Sequence, residues 1–62
     1  MPFIEVNLTS GRSAAQKREF CEAVTREAAR ILDCPPEVVW IVFKDVDKED
    51  WATGGVLVSE QR

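Results

Sequence analysis

The first apolar pattern in the chain has a period of two. From Phe3 to Leu8, Ile4, Val6 and Leu8 point one way and Phe3, Glu5 and Asn7 the other, which predicts a β-strand with one strongly apolar face. Thr9-Ser10-Gly11-Arg12 is a turn with its glycine. The period then changes to that of a helix. Ser13 and Gln16 have the spacing of a capping box, in which the hydroxyl accepts from the Gln16 backbone and the amide side chain reaches back to the Ser13 N–H. The helix it starts is expected from Ala14 to Leu32, about 28 Å long. Phe20, Val24, Ala28 and Ile31 form its apolar face, with Cys21 and Ala23 at the edge. Lys17, Arg18, Glu22, Arg26 and Arg30 lie mainly outside that stripe and read as a solvated face.

Asp33-Cys34-Pro35-Pro36-Glu37 ends the helix, because proline cannot continue it and pushes the residue before it out of the α region. Val38 to Phe43 is a nearly continuous apolar run rich in β-branched residues, expected to be a strand buried on both faces. Strand, helix and strand in so short a chain make a βαβ unit with parallel strands and a right-handed crossover, an α/β (α+β) fold. One helix covers one face of a two-stranded sheet. The other face carries Phe3 and either Trp40 with Val42, or Val39, Ile41 and Phe43, and another copy of the chain is the simplest cover for it. Lys44 to Asp50 is charged and reads as a loop. Trp51-Ala52-Thr53-Gly54-Gly55 reads as a glycine-bearing turn, Val56-Leu57-Val58 as a last short strand, and Ser59 to Arg62 as a fraying end.

Length sharpens this picture. The chain has 62 residues, so residues 1–62 are expected to be a single domain. A chain of this size buries only about 60% of its unfolded surface and is marginal alone. Small scaffolds lean on disulfides, a metal or oligomerisation. With two cysteines, Cys21 and Cys34, no secretory leader pattern and no histidine, disulfides and a metal are poor supports, and oligomerisation is left. The net charge of −3 is spread among interspersed charges of both signs. No basic stripe is available for phosphates, which argues against nucleic acid, and no apolar run is long enough for a bilayer. The expected location is the cytoplasm, with both thiols reduced.

The missing histidine and tyrosine restrict the chemistry. Proton transfer near neutral pH must use a shifted carboxylate, a lysine, a cysteine or a terminal amine. The α-amino group, with an ordinary pKa of roughly 8, is already near working pH. Pro2 therefore has two readings. It is either a strand-leading proline that costs no ladder bond or, once Met1 is cleaved, a free secondary amine. Arg12 also has two. It is a solvated turn arginine, or a carboxylate receptor beside helix-start N–H groups. A strand of about six residues separates them by roughly 20 Å, so they can meet only across a subunit interface.

Pro2 directly after Met1, Gly11-Arg12-Ser13 followed by Gln16-Lys17, Leu32-Asp33 with Pro35, and Trp51 followed by Gly54-Gly55 run in order along nearly the whole chain. On these residues the sequence resembles the 4-oxalocrotonate tautomerase family. The resemblance implies a tautomerase fold assembled as a hexamer and a cofactor-independent isomerase. It implies that Met1 is removed and that Pro2 is the general base, taking a proton from an enol or dienol acid and returning it to carbon so that the ketone forms. It implies that Arg12 comes from a neighbouring subunit to bind a substrate carboxylate, and that Trp51 lines the pocket and keeps it apolar. Such surroundings, and a nearby arginine, disfavour a charged amine and lower its pKa. Leu8 reads as pocket or as core.

One position departs from the family pattern. Trp40 stands where well-studied members carry a second arginine in the second strand. An indole offers a single N–H in place of a charged fork, which counts against a dicarboxylate substrate. Trp40 reads as an interface or core aromatic, or as a substrate contact. Lys44 and Lys48 are candidates to replace the lost charge, or solvated loop lysines. Two other functions stay open. One is hydration, dehalogenation or decarboxylation of small acids by the same proline, drawing on Asp45, Asp47, Glu49 or Asp50. The other, if Met1 stays on, is a non-catalytic oligomeric binding protein. Cys21 and Cys34 read as small buried thiols.

Overall fold

The structure, a computed structural model, describes residues 2–61. Removal of Met1 and the state of the chain end at Arg62 lie outside the described residues. The first element, β1 (Phe3–Thr9), leads to α1 (Ala14–Leu32) and then, past a 3₁₀ turn at Pro36–Val38, to β2 (Trp40–Val46). A second 3₁₀ turn at Lys48–Asp50 precedes a two-residue hairpin of β3 (Ala52–Thr53) and β4 (Val56–Leu57), and the chain ends in a 3₁₀ turn at Val58–Glu60. β1 and β2 pair in parallel, from Phe3 opposite Trp40 to Thr9 opposite Val46. β3 and β4 pair antiparallel. This is the βαβ unit with a C-terminal hairpin expected of the α/β (α+β) fold.

The helix bounds are those the caps predict. Ser13 Oγ accepts from Gln16 N at 3.1 Å, and Ser13 N donates to Gln16 Oε1 at 2.9 Å. At the other end Asp33 takes φ 54°, and Cys34 N donates to Ala29 O at 3.2 Å, the left-handed closure that stops a helix before proline. The expected stripe is only partly right. Val24 and Ala28 are half-buried with Lys17, Cys21, Thr25 and Ala29, whereas Phe20 is 47% exposed and Ile31 66% exposed. Two strands are too narrow to shelter a 19-residue helix along its whole apolar face. Phe20 still reaches Phe43 edge-on, with centroids 6.1 Å apart, a favoured aromatic geometry.

β2 corrects the sequence reading at both ends. It starts at Trp40, because Pro36–Val38 is taken up by the 3₁₀ turn. It continues through Lys44 and Asp45 to Val46, so these two charges are strand residues and not part of a loop. Nor is β2 buried on both faces. Ile41, Phe43 and Val46 are half-buried, while Trp40 and Val42 lie open, Trp40 at 56%. With Phe3 opposite Trp40 and Glu5 opposite Val42, the uncovered face is the Phe3–Trp40–Val42 one. Among the described residues no side chain is fully buried.

Beyond Val46 the chain leaves this unit. Gly54 and Gly55, at φ 59° and 81°, supply the two positive dihedrals that a two-residue hairpin demands. The end does not fray through Gln61: its side chain donates to Thr53 Oγ1 at 2.6 Å and to Val56 O at 3.1 Å.

Candidate active site

The two residues with the clearest chemical potential sit at opposite ends of β1. Pro2 precedes the strand and is half-buried. Its carbonyl accepts from Trp40 N at 3.0 Å, so its backbone oxygen is tied to β2 while the ladder asks nothing of its nitrogen. Trp40 is therefore Pro2's neighbour, with its side chain on the open sheet face beside Phe3.

Arg12 follows the other end of β1. Gly11 takes φ 123° with open space around it, a dihedral that glycine adopts without strain. This turns the chain so that the Arg12 guanidinium folds back on the strand end. Its Nη1 donates to Thr9 O at 3.1 Å and to Thr9 Oγ1 at 2.8 Å. Both acceptors are neutral, so the turn orients the guanidinium without cancelling its charge. Within one chain the structure does not bring Pro2 and Arg12 together, since all of β1 separates them.

Arg12 borders two clefts. One, of about 300 Å³, is largely apolar and is lined by Val6, Leu8, Phe20 and Phe43, with Arg12, Gln16 and Lys17 at its rim. Leu8 is thus in the same cleft as Arg12. The other, of about 420 Å³, is polar and is lined by Thr9, Ser10, Gly11, Arg12, Gln16 and Lys48. Gln16 borders both, a role hidden behind its capping function. Trp51 lies apart, half-buried at the head of the hairpin, with its carbonyl accepting from Val58 N at 2.7 Å.

Two ion pairs tie charged groups to the strand pair. Lys17 Nζ meets Asp45 Oδ2 at 2.7 Å and so ties α1 to β2. Lys44 Nζ meets Glu5 Oε1 at 2.9 Å across the strand pair. The Lys44 hydrogen bond, with a second from Asn7 and the lysine's charge, holds the Glu5 carboxyl below its ordinary pKa. Cys21 and Cys34 are free and half-buried, and Cys21 Sγ lies 3.2 Å from Arg18 O. Among the described residues no three His, Cys, Asp or Glu side chains cluster in a way that could hold a metal ion, and no helix is long and apolar enough to cross a membrane.

Comparison with known proteins gives this arrangement its class. The family model for tautomerase enzymes matches residues 2–61. The chain is 37% identical over 60 residues to the 2-hydroxymuconate tautomerase of Comamonas testosteroni, an alignment covering 97% of this chain and 95% of that one. Among solved structures, a 4-oxalocrotonate tautomerase homologue superposes with a TM-score of 0.92 at 37% identity, covering 100% of this chain and 98% of the other. A heterohexameric 4-oxalocrotonate tautomerase from Chloroflexus aurantiacus superposes with a TM-score of 0.94 at 31% identity, covering 100% of both chains. The chain belongs to the tautomerase family, isomerases of the 4-oxalocrotonate tautomerase kind.

Proposed function

We propose that this tautomerase interconverts enol and keto forms of small 2-hydroxydienoate or 2-oxo acids without a cofactor, using the Pro2 amine exposed by removal of Met1 as general base. The observation that carries this reading is the backbone at Pro2: the carbonyl binds Trp40 N–H, while the nitrogen has no part in the sheet, so its conversion to a free amine on removal of Met1 costs no ladder bond. As base, the amine takes the enol hydroxyl proton and the C=O forms. The proton is then delivered to a carbon of the former diene, and the double bond shifts. Apolar surroundings favour the neutral amine that this step needs. Arg12 holds a substrate carboxylate, and Leu8, Trp40 and Trp51 line the site.

The reading requires more than one chain, because Arg12 of one subunit serves Pro2 of another. The uncovered Phe3–Trp40–Val42 face and the absence of any fully buried side chain among the described residues support such an assembly, and we infer a homo-oligomer, a hexamer, in the cytoplasm. The indole at position 40 favours substrates with a single carboxylate.

Intact mass followed by a ketonisation assay tests the proposal. A protein lighter by one methionine residue that ketonises 2-hydroxypenta-2,4-dienoate, a monocarboxylate, supports it. Full mass in natively produced protein makes Pro2 an amide without basicity and leaves a binding protein. Hydrolysis of a haloacrylate without ketonisation moves the reaction to another chemistry of the same proline.

A further inference from the structure

We propose that Lys48 is a second cationic contact for the carboxylate that Arg12 binds; the proposal rests on the reading of Arg12 as a carboxylate receptor. β1 and β2 end together, Thr9 opposite Val46, and Ser10 N donates to Val46 O at 2.9 Å just past that pair. This last bond holds the starts of two turns side by side. One turn carries Arg12, three residues beyond Thr9. The other carries Lys48, two residues beyond Val46. Both residues therefore line one polar cleft of about 420 Å³.

The charges in that cleft do not balance. Its other lining residues are Thr9, Ser10, Gly11 and Gln16, none of them acidic. Asp47, Glu49 and Asp50 flank Lys48 in sequence but do not line the cleft. The ion pairs among the described residues are Lys17–Asp45, Arg30–Glu27 and Lys44–Glu5, and Lys48 is in none of them. Arg12 spends one nitrogen on the neutral oxygens of Thr9. Two cations that share a cleft without an anion repel each other, and a bound carboxylate turns that repulsion into two charge-assisted contacts. Lys44, by contrast, has its ammonium 2.9 Å from Glu5 Oε1.

The test separates charge recognition from packing. Sorbate, a small dienoic acid, and sorbamide, its neutral isostere, are titrated into the full protein while the Ser10, Gly11 and Lys48 amide resonances are followed by NMR. Lys48→Met is expected to weaken sorbate binding about tenfold and leave sorbamide unchanged, with Lys48→Arg restoring sorbate. In turnover the same variant raises KM by a similar factor and leaves kcat within twofold. Combined with Arg12→Met, its effect is less than additive, because both side chains hold one group. Equal weakening of sorbate and sorbamide, or no change in either, overturns the proposal. If the wild-type protein shows no ketonisation but its sorbate binding still depends on Lys48, the catalytic reading falls and this one stands.

Discussion

The βαβ unit and the C-terminal hairpin are held in different ways. In the unit, residues far apart in sequence meet: seven register pairs join β1 to β2, and Lys17 reaches Asp45 from the helix. In the hairpin the bonds are local and internal, from Val58 N to Trp51 O and from Gln61 to Thr53 and Val56. The outline of the chain reflects this. It measures 42 × 23 × 15 Å with a radius of gyration of 14.6 Å, against about 11 Å for a compact chain of this length. The unit thus holds Pro2, Arg12 and the half-buried strand residues, while the hairpin is held by its own local bonds. An elongated outline and an open apolar sheet face are two signs of one need, since a chain this small is marginal on its own burial alone.

That division can be broken from either side. Pro2→Ala changes the proposed base from a secondary to a primary terminal amine and is expected to lower kcat, by less than the roughly 10²- to 10⁴-fold that complete loss of a general base costs, with the circular dichroism spectrum unchanged; ketonisation kinetics check it. Trp40→Glu places a charge on the open sheet face and is expected to shift the assembly to smaller species at micromolar concentration, as read by light scattering. If its mass is unchanged, that face is not where chains meet. Ser13→Ala removes a cap inside the unit and is expected to cost about 1 kcal/mol in urea unfolding.

The smallest effect concerns pH. The folded pKa of Glu5 is depressed by Lys44 and Asn7, so its stabilisation is complete above the ordinary carboxylate pKa and is lost as pH falls through the lower, folded value. Glu5→Gln is expected to flatten slightly the fall in Tm below about pH 4.5 and to leave Tm nearer neutrality insensitive to pH. The group is solvent-exposed, so the change is a small one.

How much of this was legible in the sequence depended on whether the signal was local. The helix was, because Ser13, Gln16 and Pro35 are local instructions. The end of β2 was not: Lys44 and Asp45 look like loop residues until β1 is laid beside them, and it is Thr9 opposite Val46 that carries the strand through. The exposure of Ile31 was hidden for a related reason. Periodicity gives a helix a face but not the width of what it lies on. In the candidate site, Pro2 and Arg12 were readable as two ends of one strand. That Arg12 and Lys48 line one cleft was not, since it depends on one backbone hydrogen bond, Ser10 to Val46, that no motif announces.

The parallel register also sets an order in time. Phe3 cannot find Trp40 until the whole crossover helix lies between them, whereas Thr53 and Val56 are joined by a single turn. Closing the long loop is the slow entropic step, and the hairpin forms on the microsecond scale of local structure. On a growing chain, β1 leaves the ribosome first and waits with its apolar face bare until β2 follows. The Phe3–Trp40–Val42 face stays open even after β2 arrives, so the interval during which this protein is open to misassociation lasts as long as that face is uncovered.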